Sequence, residues 1–197
     1  MPDPAPGPLR LVQSFVNTLF VNTLGASREA ADLLATREAA AAWLRAAALL
    51  PAESGLTGSE HAALLRLREA VRDTLAAHTD GHPDQAAADR LTRALAEGRL
   101  VVTVDAASMV QLASAARASY PGVVAAIAVA IAEAAAAGTW LRLKSCGGSA
   151  GSGSAGSGSA GSGSAGSGSA CGQAFYDHSA GAGARECDTH PRGSTSS

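Results

Sequence analysis

Apolar residues recur at helical spacing in two stretches of the first half of the chain, and each stretch begins at a residue type that caps helices. Thr36 opens the first stretch, which runs to about Leu50 and ends before a proline. Thr57 opens the second stretch. There, Glu60 completes a capping-box pattern, and the apolar spacing lasts to about His78. The pattern therefore predicts two helices bounded by these residues.

The next part of the chain changes from helical spacing to a β-branched segment and back. Residues 84–97 have helical spacing and stop before a glycine. Residues 99–104 are short and β-branched and predict a strand, with which residues 109–113 are expected to pair. Pro121, suited to a first helical turn, predicts a helix that ends near Gly138. The predicted fold class is mainly α with a small β-hairpin.

A tract of only Gly, Ser and Ala interrupts the chain near its C-terminus. It consists of a Gly-Gly-Ser-Ala lead-in and four identical Gly-Ser-Gly-Ser-Ala units over residues 147–170. These side chains bury almost no apolar area, so the tract is predicted to be disordered. Four regions follow from this composition: a proline-rich extended arm, a compact helical domain, a cysteine-bearing segment that contains the tract, and a disordered tail. Their predicted bounds are 1–8, 9–145, 146–190 and 191–197.

Charge and cysteine usage narrow the class of protein. The formal net charge of -2 gives no general attraction to nucleic acid or to an anionic membrane, so any contact with DNA must be local. Three C-terminal cysteines are too few for a disulfide scaffold, which favours a reducing compartment. The longest apolar run, residues 123–132, is about half as long as a membrane-spanning helix, and no signal-peptide core precedes it. A cytoplasmic protein with no membrane partner is expected.

A basic cluster lies on the second predicted helix. Arg66, Arg68 and Arg72 contribute the cations, but Glu69 and Asp73 are interleaved with them. Such a mixture of charges is typical of a solvated helix face stabilised by neighbouring ion pairs. The cluster is therefore predicted to be exposed to solvent.

Three cysteines and one histidine have the composition of a structural zinc site. Cys187 and His190 can share one short turn, and Cys146 and Cys171 complete a set of three sulfurs and one nitrogen. The 24 residues between Cys146 and Cys171 exceed the usual short spacer, which adds about 1.6 kcal/mol of loop-closure free energy. That cost is small beside zinc-binding energies of about 10–16 kcal/mol in finger peptides. Spacing alone leaves a zinc site and three separate surface thiols as equal alternatives.

Two catalytic motifs match the sequence only formally. Residues 147–151 have the spacing of a hydrolase nucleophile elbow, and residues 151–156 have the spacing of a dinucleotide-binding loop. Both motifs require a strand before them and a helix after them, and neither element is predicted within the tract. Cys187 and His190, considered as a nucleophilic pair, lack an identifiable third group that orients them. The residues therefore supply no convergent catalytic set, and the sequence does not predict an enzyme.

Several motifs follow one another in a characteristic order along nearly the whole chain. They are Phe-Val-Asn-Thr at 15–18 and again at 20–23, Asp-Leu-Leu-Ala-Thr at 32–36, Ala-Ala-Trp-Leu at 41–44, Leu-Arg-Glu-Ala-Val-Arg at 67–72, Gly-Thr-Trp-Leu-Arg-Leu-Lys-Ser-Cys at 138–146, Cys-Gly-Gln-Ala-Phe-Tyr-Asp at 171–177 and Arg-Glu-Cys at 185–187. In this order they resemble the bacterial proteins in which a helical ABATE domain precedes a CGNR zinc finger, described as stress-induced transcription regulators. The resemblance implies a helical domain that senses a small ligand or a protein partner, and a finger that binds zinc and DNA. The family spaces its first two cysteines by four residues, and Arg192 stands where it has its fourth cysteine, which leaves His190 as the substitute ligand.

The last part of the chain departs from that family in its charge. The family's basic helix is replaced by residues 191–197, and residues 171–197 carry two arginines against three acidic residues. Since Lys and Arg contacts with phosphate supply most non-specific affinity for DNA, only Lys144, Arg185 and Arg192 are candidates for weak nucleic-acid contact. The alternative is a protein-interaction or oligomerisation module, such as a homodimer, that has lost DNA binding.

Overall fold

Five α-helices and two small antiparallel sheets make up the described part of the chain. The computed structural model describes residues 3–19, 32–116, 118–147, 172–179 and 183–184. The helices are α1 (Leu9–Val16), α2 (Arg37–Ala46), α3 (Gly58–Asp80), α4 (Gln85–Leu95) and α5 (Tyr120–Ala136). The strands are β1 (Leu100–Val104), β2 (Val110–Ser114), β3 (Leu143–Ser145) and β4 (Ala174–Tyr176), and 3-10 turns cover Asn17–Leu19 and Trp140–Arg142. The prediction of a mainly α fold with a small β-hairpin is confirmed.

Helices α2 and α3 begin at the predicted caps. The Thr36 side chain accepts a hydrogen bond from the Ala39 amide at 3.1 Å. At Thr57 both halves of the capping box form, because its hydroxyl accepts from the Glu60 amide while the Glu60 carboxylate accepts from the Thr57 amide. The starts of these two helices are therefore fixed by local sequence.

Helix α2 ends earlier than the predicted residue 50. Ala48 takes a left-handed φ of 56°, and the amides of Leu49 and Leu50 both donate to the Leu44 carbonyl, at 2.9 and 3.3 Å. This arrangement closes the helix in the way that a left-handed residue usually does. It also turns Leu50 into the core, where it is buried.

The hydrophobic core surrounds α3, which packs against α1, α4 and β3. Its largest fully buried side chains come from α1, α2, α3, α5 and β3 and include Phe15, Leu44, Leu64, Leu67, Leu75, Ile127 and Leu143. Ala174 of β4 belongs to the same core, so packing continues across the domain boundary predicted at residue 145. Ala5 is also buried, and its amide donates to Gln13 Oε1 at 2.7 Å. This part of the predicted arm therefore packs against α1.

Strands β1 and β2 form the predicted hairpin. Their antiparallel register pairs Leu100 with Ser114 and Val104 with Val110, and α5 packs against β2. Apolar side chains nevertheless remain exposed, among them Val102 at 64% and Val110 at 67%. No described helix has the length and apolar content that crossing a membrane requires.

Gly98 lies against the backbone of α5. A β-carbon on Gly98 would come within 2.9 Å of the Ala125 nitrogen and 3.1 Å of its Cα. We expect Gly98→Ala to lower the free energy of unfolding by about 1–3 kcal/mol, because a backbone contact can be relieved only by shifting a packed helix. Urea denaturation followed by circular dichroism measures this change. Gly55→Ala is the matched control, since a β-carbon there meets nothing within 4 Å; equal stability of the two variants would contradict the prediction.

Candidate functional site

A second hairpin, which is not among the predicted elements, joins the two sides of the Gly/Ser/Ala tract. Strand β3 precedes the tract, β4 follows it, and their antiparallel register pairs Leu143 with Tyr176 and Ser145 with Ala174. Two further backbone hydrogen bonds extend the ladder, from the Cys146 amide to the Gln173 carbonyl at 2.8 Å and from the Gly172 amide to the Cys146 carbonyl at 2.9 Å. We call residues 143–147 and 172–177 the finger hairpin. It holds the backbone on the two sides of the tract together up to Cys146 and Gly172.

The end of α3 anchors β3. Thr79 Oγ1 donates to the Ser145 carbonyl at 2.7 Å and accepts from the Ser145 amide at 3.1 Å. The Nδ1 atom of His78 lies 2.9 Å from the Leu143 carbonyl, and since a carbonyl only accepts, Nδ1 carries the proton. Burial, opposed by this hydrogen bond, lowers the pKa of His78, and the nearby Lys144 charge adds to the effect. His78 is therefore neutral when the hairpin is docked on α3.

The end of α1 anchors β4 through one amide side chain. Asn17 Nδ2 donates to the Ala174 carbonyl at 2.9 Å, and Asn17 Oδ1 accepts from the Ala174 amide at 2.7 Å. Asn17 thus pairs with β4 as a neighbouring strand would. It belongs to the first copy of the duplicated Phe-Val-Asn-Thr motif, while the second copy lies outside the described residues.

A buried ion pair closes the far end of the finger hairpin. Lys144 Nζ lies 2.9 Å from Asp177 Oδ2, and the two side chains are 5% and 1% exposed. Asp177 also accepts from the Ser179 amide and hydroxyl, at 2.9 and 2.6 Å, and from the Ala184 amide at 2.8 Å. Burial alone would raise the pKa of Asp177, but the hydrogen bonds from Ser179, Lys144 and Ala184 outweigh it and hold this pKa well below its ordinary value.

Cys146 lies in a small apolar cluster that these contacts assemble. It is buried against Phe175, and Ala184 packs on the same cluster. Ala184 is held there because its carbonyl accepts from Lys144 Nζ at 3.0 Å while its amide donates to Asp177. The ion pair therefore holds Ala184 next to Cys146.

The predicted metal ligands are only partly within the described chain. Cys146 is described, whereas Cys171, Cys187 and His190 lie outside the described residues. Within the described residues, no group of three or more His, Cys, Asp or Glu side chains is placed to hold a metal ion. Zinc binding by the four predicted ligands therefore stays a prediction.

The predicted nucleic-acid residues need one correction. Lys144 was expected to contact phosphate, but its ammonium is buried and bound to Asp177 and Ala184. A buried, paired cation cannot neutralise a phosphate of a bound duplex, so the expectation for Lys144 is wrong. Arg185 and Arg192 lie outside the described residues.

A second correction concerns the basic cluster of α3. Arg68 was predicted to be solvated, but it is 4% exposed and binds Asp32 through two hydrogen bonds, at 2.6 and 2.8 Å. Its Nη1 atom also donates to Thr18 Oγ1 at 3.2 Å. The hydrogen bond from Arg68 is the main reason that the pKa of Asp32 is lowered. This pair ties the segment before α2 to the middle of α3.

The helices packed around α3 form a helical domain, and a hairpin that contains Cys146 is docked on it. The chain belongs to the ABATE family, described as "Putative stress-induced transcription regulator", whose sequence profile matches residues 9–138. The match covers α1 to α5 and ends before the finger hairpin. No curated protein matches the chain.

Proposed function

We propose that this protein is a cytoplasmic, stress-induced transcription regulator in which the ABATE domain senses a ligand or partner and carries a zinc finger with weakened DNA binding. The family match supports the regulator class. The observation that carries the proposal is the finger hairpin, which joins the chain on both sides of the tract and buries Cys146 at their junction.

The positions of the four predicted ligands along the chain are compatible with a structural zinc ion at Cys146. Cys171 immediately precedes Gly172, which is hydrogen bonded to Cys146, and Cys187 follows Ala184 by three residues. Chain connectivity therefore limits how far either thiol can lie from Cys146, since an extended chain advances at most about 3.6 Å per residue. Cys146, Cys171, Cys187 and His190 would hold the ion, and zinc with this donor set cross-links the segment without taking part in chemistry.

The hairpin also determines whether the loop-closure free energy of the long tract opposes zinc binding or folding. The loop-closure free energy of about 1.6 kcal/mol would weaken zinc binding only if the metal had to bring the ends of the tract together. Here backbone pairing and the contacts with α1 and α3 bring them together. The loop-closure free energy therefore lowers the stability of the folded protein more than it lowers the affinity for zinc.

Removal of the tract's four identical units tests this assignment. Deleting residues 151–170 leaves Gly147–Ala150 between the two cysteines, a spacer of four residues. We expect the free energy of unfolding, measured in urea, to rise by about 1.6 kcal/mol because the closed loop is shorter. Zinc affinity should change less than about threefold, below the fifteen-fold that the whole of this free energy would give. A gain in zinc affinity without a gain in stability would show that the metal closes the loop.

Zinc content tests the proposed function itself. Protein purified without a chelator is expected to contain one zinc per chain, as is usual for a closed four-ligand site. Cys187→Ala and His190→Ala should lose it, while His178→Ala is the matched control because His178 lies in the same segment and is not a predicted ligand. Absence of stoichiometric zinc in the unsubstituted protein would contradict the proposal.

The exposed β1–β2 hairpin favours a second candidate function, homodimerisation. Among the described residues each strand of this sheet pairs on one side only, and Val102, Val104, Met109 and Val110 are all at least 60% exposed. Open apolar strand edges pair readily with an identical edge across a twofold axis. Sedimentation equilibrium tests this. The candidate function is supported if the protein is a dimer and the double substitution Val102→Thr with Val110→Thr makes it a monomer. It is excluded if the unsubstituted protein is a monomer at 100 μM, on the order of a weak dimer's concentration range. A dimer without salt-dependent affinity for duplex DNA would replace the regulator proposal.

A further inference from the structure

A cleft between α3 and α4 lies on a different part of the fold from the ion pair and apolar cluster of the finger hairpin. Its volume is about 670 Å³, within the range of about 300–1,000 Å³ that is usual for small-molecule sites. Ala63 and Ala70 of α3, Ala94 of α4 and the ring of Tyr120 give it an apolar lining, while charged side chains surround this lining. Such a combination suits a ligand with an apolar body and a charged group.

The Tyr120 hydroxyl is the unexplained polar group of this cleft. Tyr120 lines the cleft and is only 4% exposed, and its hydroxyl makes no hydrogen bond to any described residue. A buried hydroxyl without a partner costs about 1–3 kcal/mol, so native proteins usually supply one, and a ligand can do so. Burial raises the pKa of Tyr120, and Glu97 adds to the effect, so the group stays a protonated donor at neutral pH.

The charges around the cleft are not all committed to protein partners. Asp73 pairs with Arg90 at 2.8 Å, and Arg68 binds Asp32. The side chains of Arg66, Arg93 and Glu97 make no ion pair or hydrogen bond within the described part of the chain. Arg66 and Glu97 are both close enough to Tyr120 to act on its charge.

We propose that this cleft binds a small organic acid, a monocarboxylate that carries an aromatic or branched apolar body. The carboxylate accepts hydrogen bonds from the Tyr120 hydroxyl and the Arg66 guanidinium. The planar guanidinium matches the geometry of a planar carboxylate. The body lies on Ala63, Ala70 and Ala94, and Arg93 adds long-range attraction. Glu97 repels a second negative charge, so monoanions bind better than dianions.

The cleft offers a ligand site for the sensing domain, and its description as an effector site rests on the proposed regulator function. Glu69 and Asp73 of α3 line this cleft and also a smaller one of about 300 Å³ beside Cys146 and Gly172. The same helix therefore separates the ligand from the finger hairpin. Ligand binding by the cleft requires neither zinc nor DNA, and the test below contains neither. A cleft that does not bind the ligand is therefore distinguished from a protein that does not act as a regulator.

The test uses calorimetric titration of the full chain with phenylacetate and 3-methylbutanoate, with 2-phenylethanol as the neutral control. At least one acid is expected to bind with a Kd below about 1 mM, and the alcohol should bind at least about tenfold more weakly because it lacks the charge. Tyr120→Phe and Arg66→Gln should each weaken binding by about tenfold, whereas Arg37→Gln, on α2 and outside the cleft, should leave it unchanged.

A stability measurement separates ligand binding from a structural role of the hydroxyl. Because Tyr120→Phe removes a buried group without a partner among the described residues, it should leave the urea midpoint of the free protein unchanged or raise it. A lowered midpoint would assign the hydroxyl to the fold and overturn the proposal. The proposal is also overturned if neither acid binds at 5 mM, on the order of the weakest affinity expected of such a site. It is overturned as well if Tyr120→Phe and Arg66→Gln bind the acid as tightly as the unsubstituted protein does.

Discussion

Asp177→Ala is expected to lower the free energy of unfolding by about 3–5 kcal/mol, since removal of one partner from a buried ion pair leaves the other buried charge without its counterion. Lys144 would keep the Ala184 carbonyl as an acceptor but would lose its carboxylate. Ser179 and Ala184 would lose their acceptor as well. Urea denaturation followed by circular dichroism measures the loss.

Replacement of both partners is the control for this prediction. The double substitution Lys144→Met with Asp177→Leu removes both charges and replaces them with apolar side chains of similar volume. It should therefore lose much less stability than Asp177→Ala, because joint apolar replacement of a buried ion pair is often nearly neutral. If Asp177→Ala alone stays within about 1 kcal/mol of the unsubstituted protein, the ion pair does not hold the finger hairpin.

The depressed pKa of Asp177 gives the same prediction a pH dependence. The carboxylate is charged in the fold, and the unfolded chain, with an ordinary pKa of about 3.9, binds its proton more readily. Its contribution to stability is therefore complete above about pH 4 and declines as the pH falls below that value. Asp177→Ala should flatten this acid limb of the stability profile.

Asp32→Ala is expected to cost about 3 kcal/mol, because Arg68 would stay buried without its carboxylate. Thr18 and Glu69 remain within reach of the guanidinium, but neither provides the bidentate geometry of Asp32. The matched control is Asp73→Ala. Its pair with Arg90 has a similar distance of 2.8 Å but is exposed at 43% and 46%, so it should cost less than about 1 kcal/mol. Equal losses in the two variants would show that burial does not decide the strength of these pairs.

Features that depend on neighbours in sequence were predictable. The caps at Thr36 and Thr57 and the β1–β2 pairing follow from residues within a few positions of each other, and the structure contains them. The early end of α2 is different, because Leu50 leaves the helix to enter a core that local spacing does not describe.

Features that depend on distant partners were not predictable. Arg68 has the sequence context of a solvated helix face, and only Asp32, 36 positions away, reveals that it is buried. Lys144 likewise has the context of a basic approach to a finger, and its partner Asp177 lies beyond the tract. Pairing between β3 and β4 bridges the same gap, across which no periodicity can be followed. The signal for Tyr120 is equally weak, since an unsatisfied hydroxyl can be recognised only when its surroundings are known.

Residues 172–177, which follow the tract, fold onto the ABATE domain through protein contacts. Amide hydrogen exchange at Ala174 and Asp177 tests this claim directly, because these amides donate to Asn17 and to the Arg142 carbonyl. We predict slow exchange at both amides in the presence of a zinc chelator, and faster exchange at Ala174 in Asn17→Ala. Exchange of both amides at the rate of an unstructured peptide would contradict the claim.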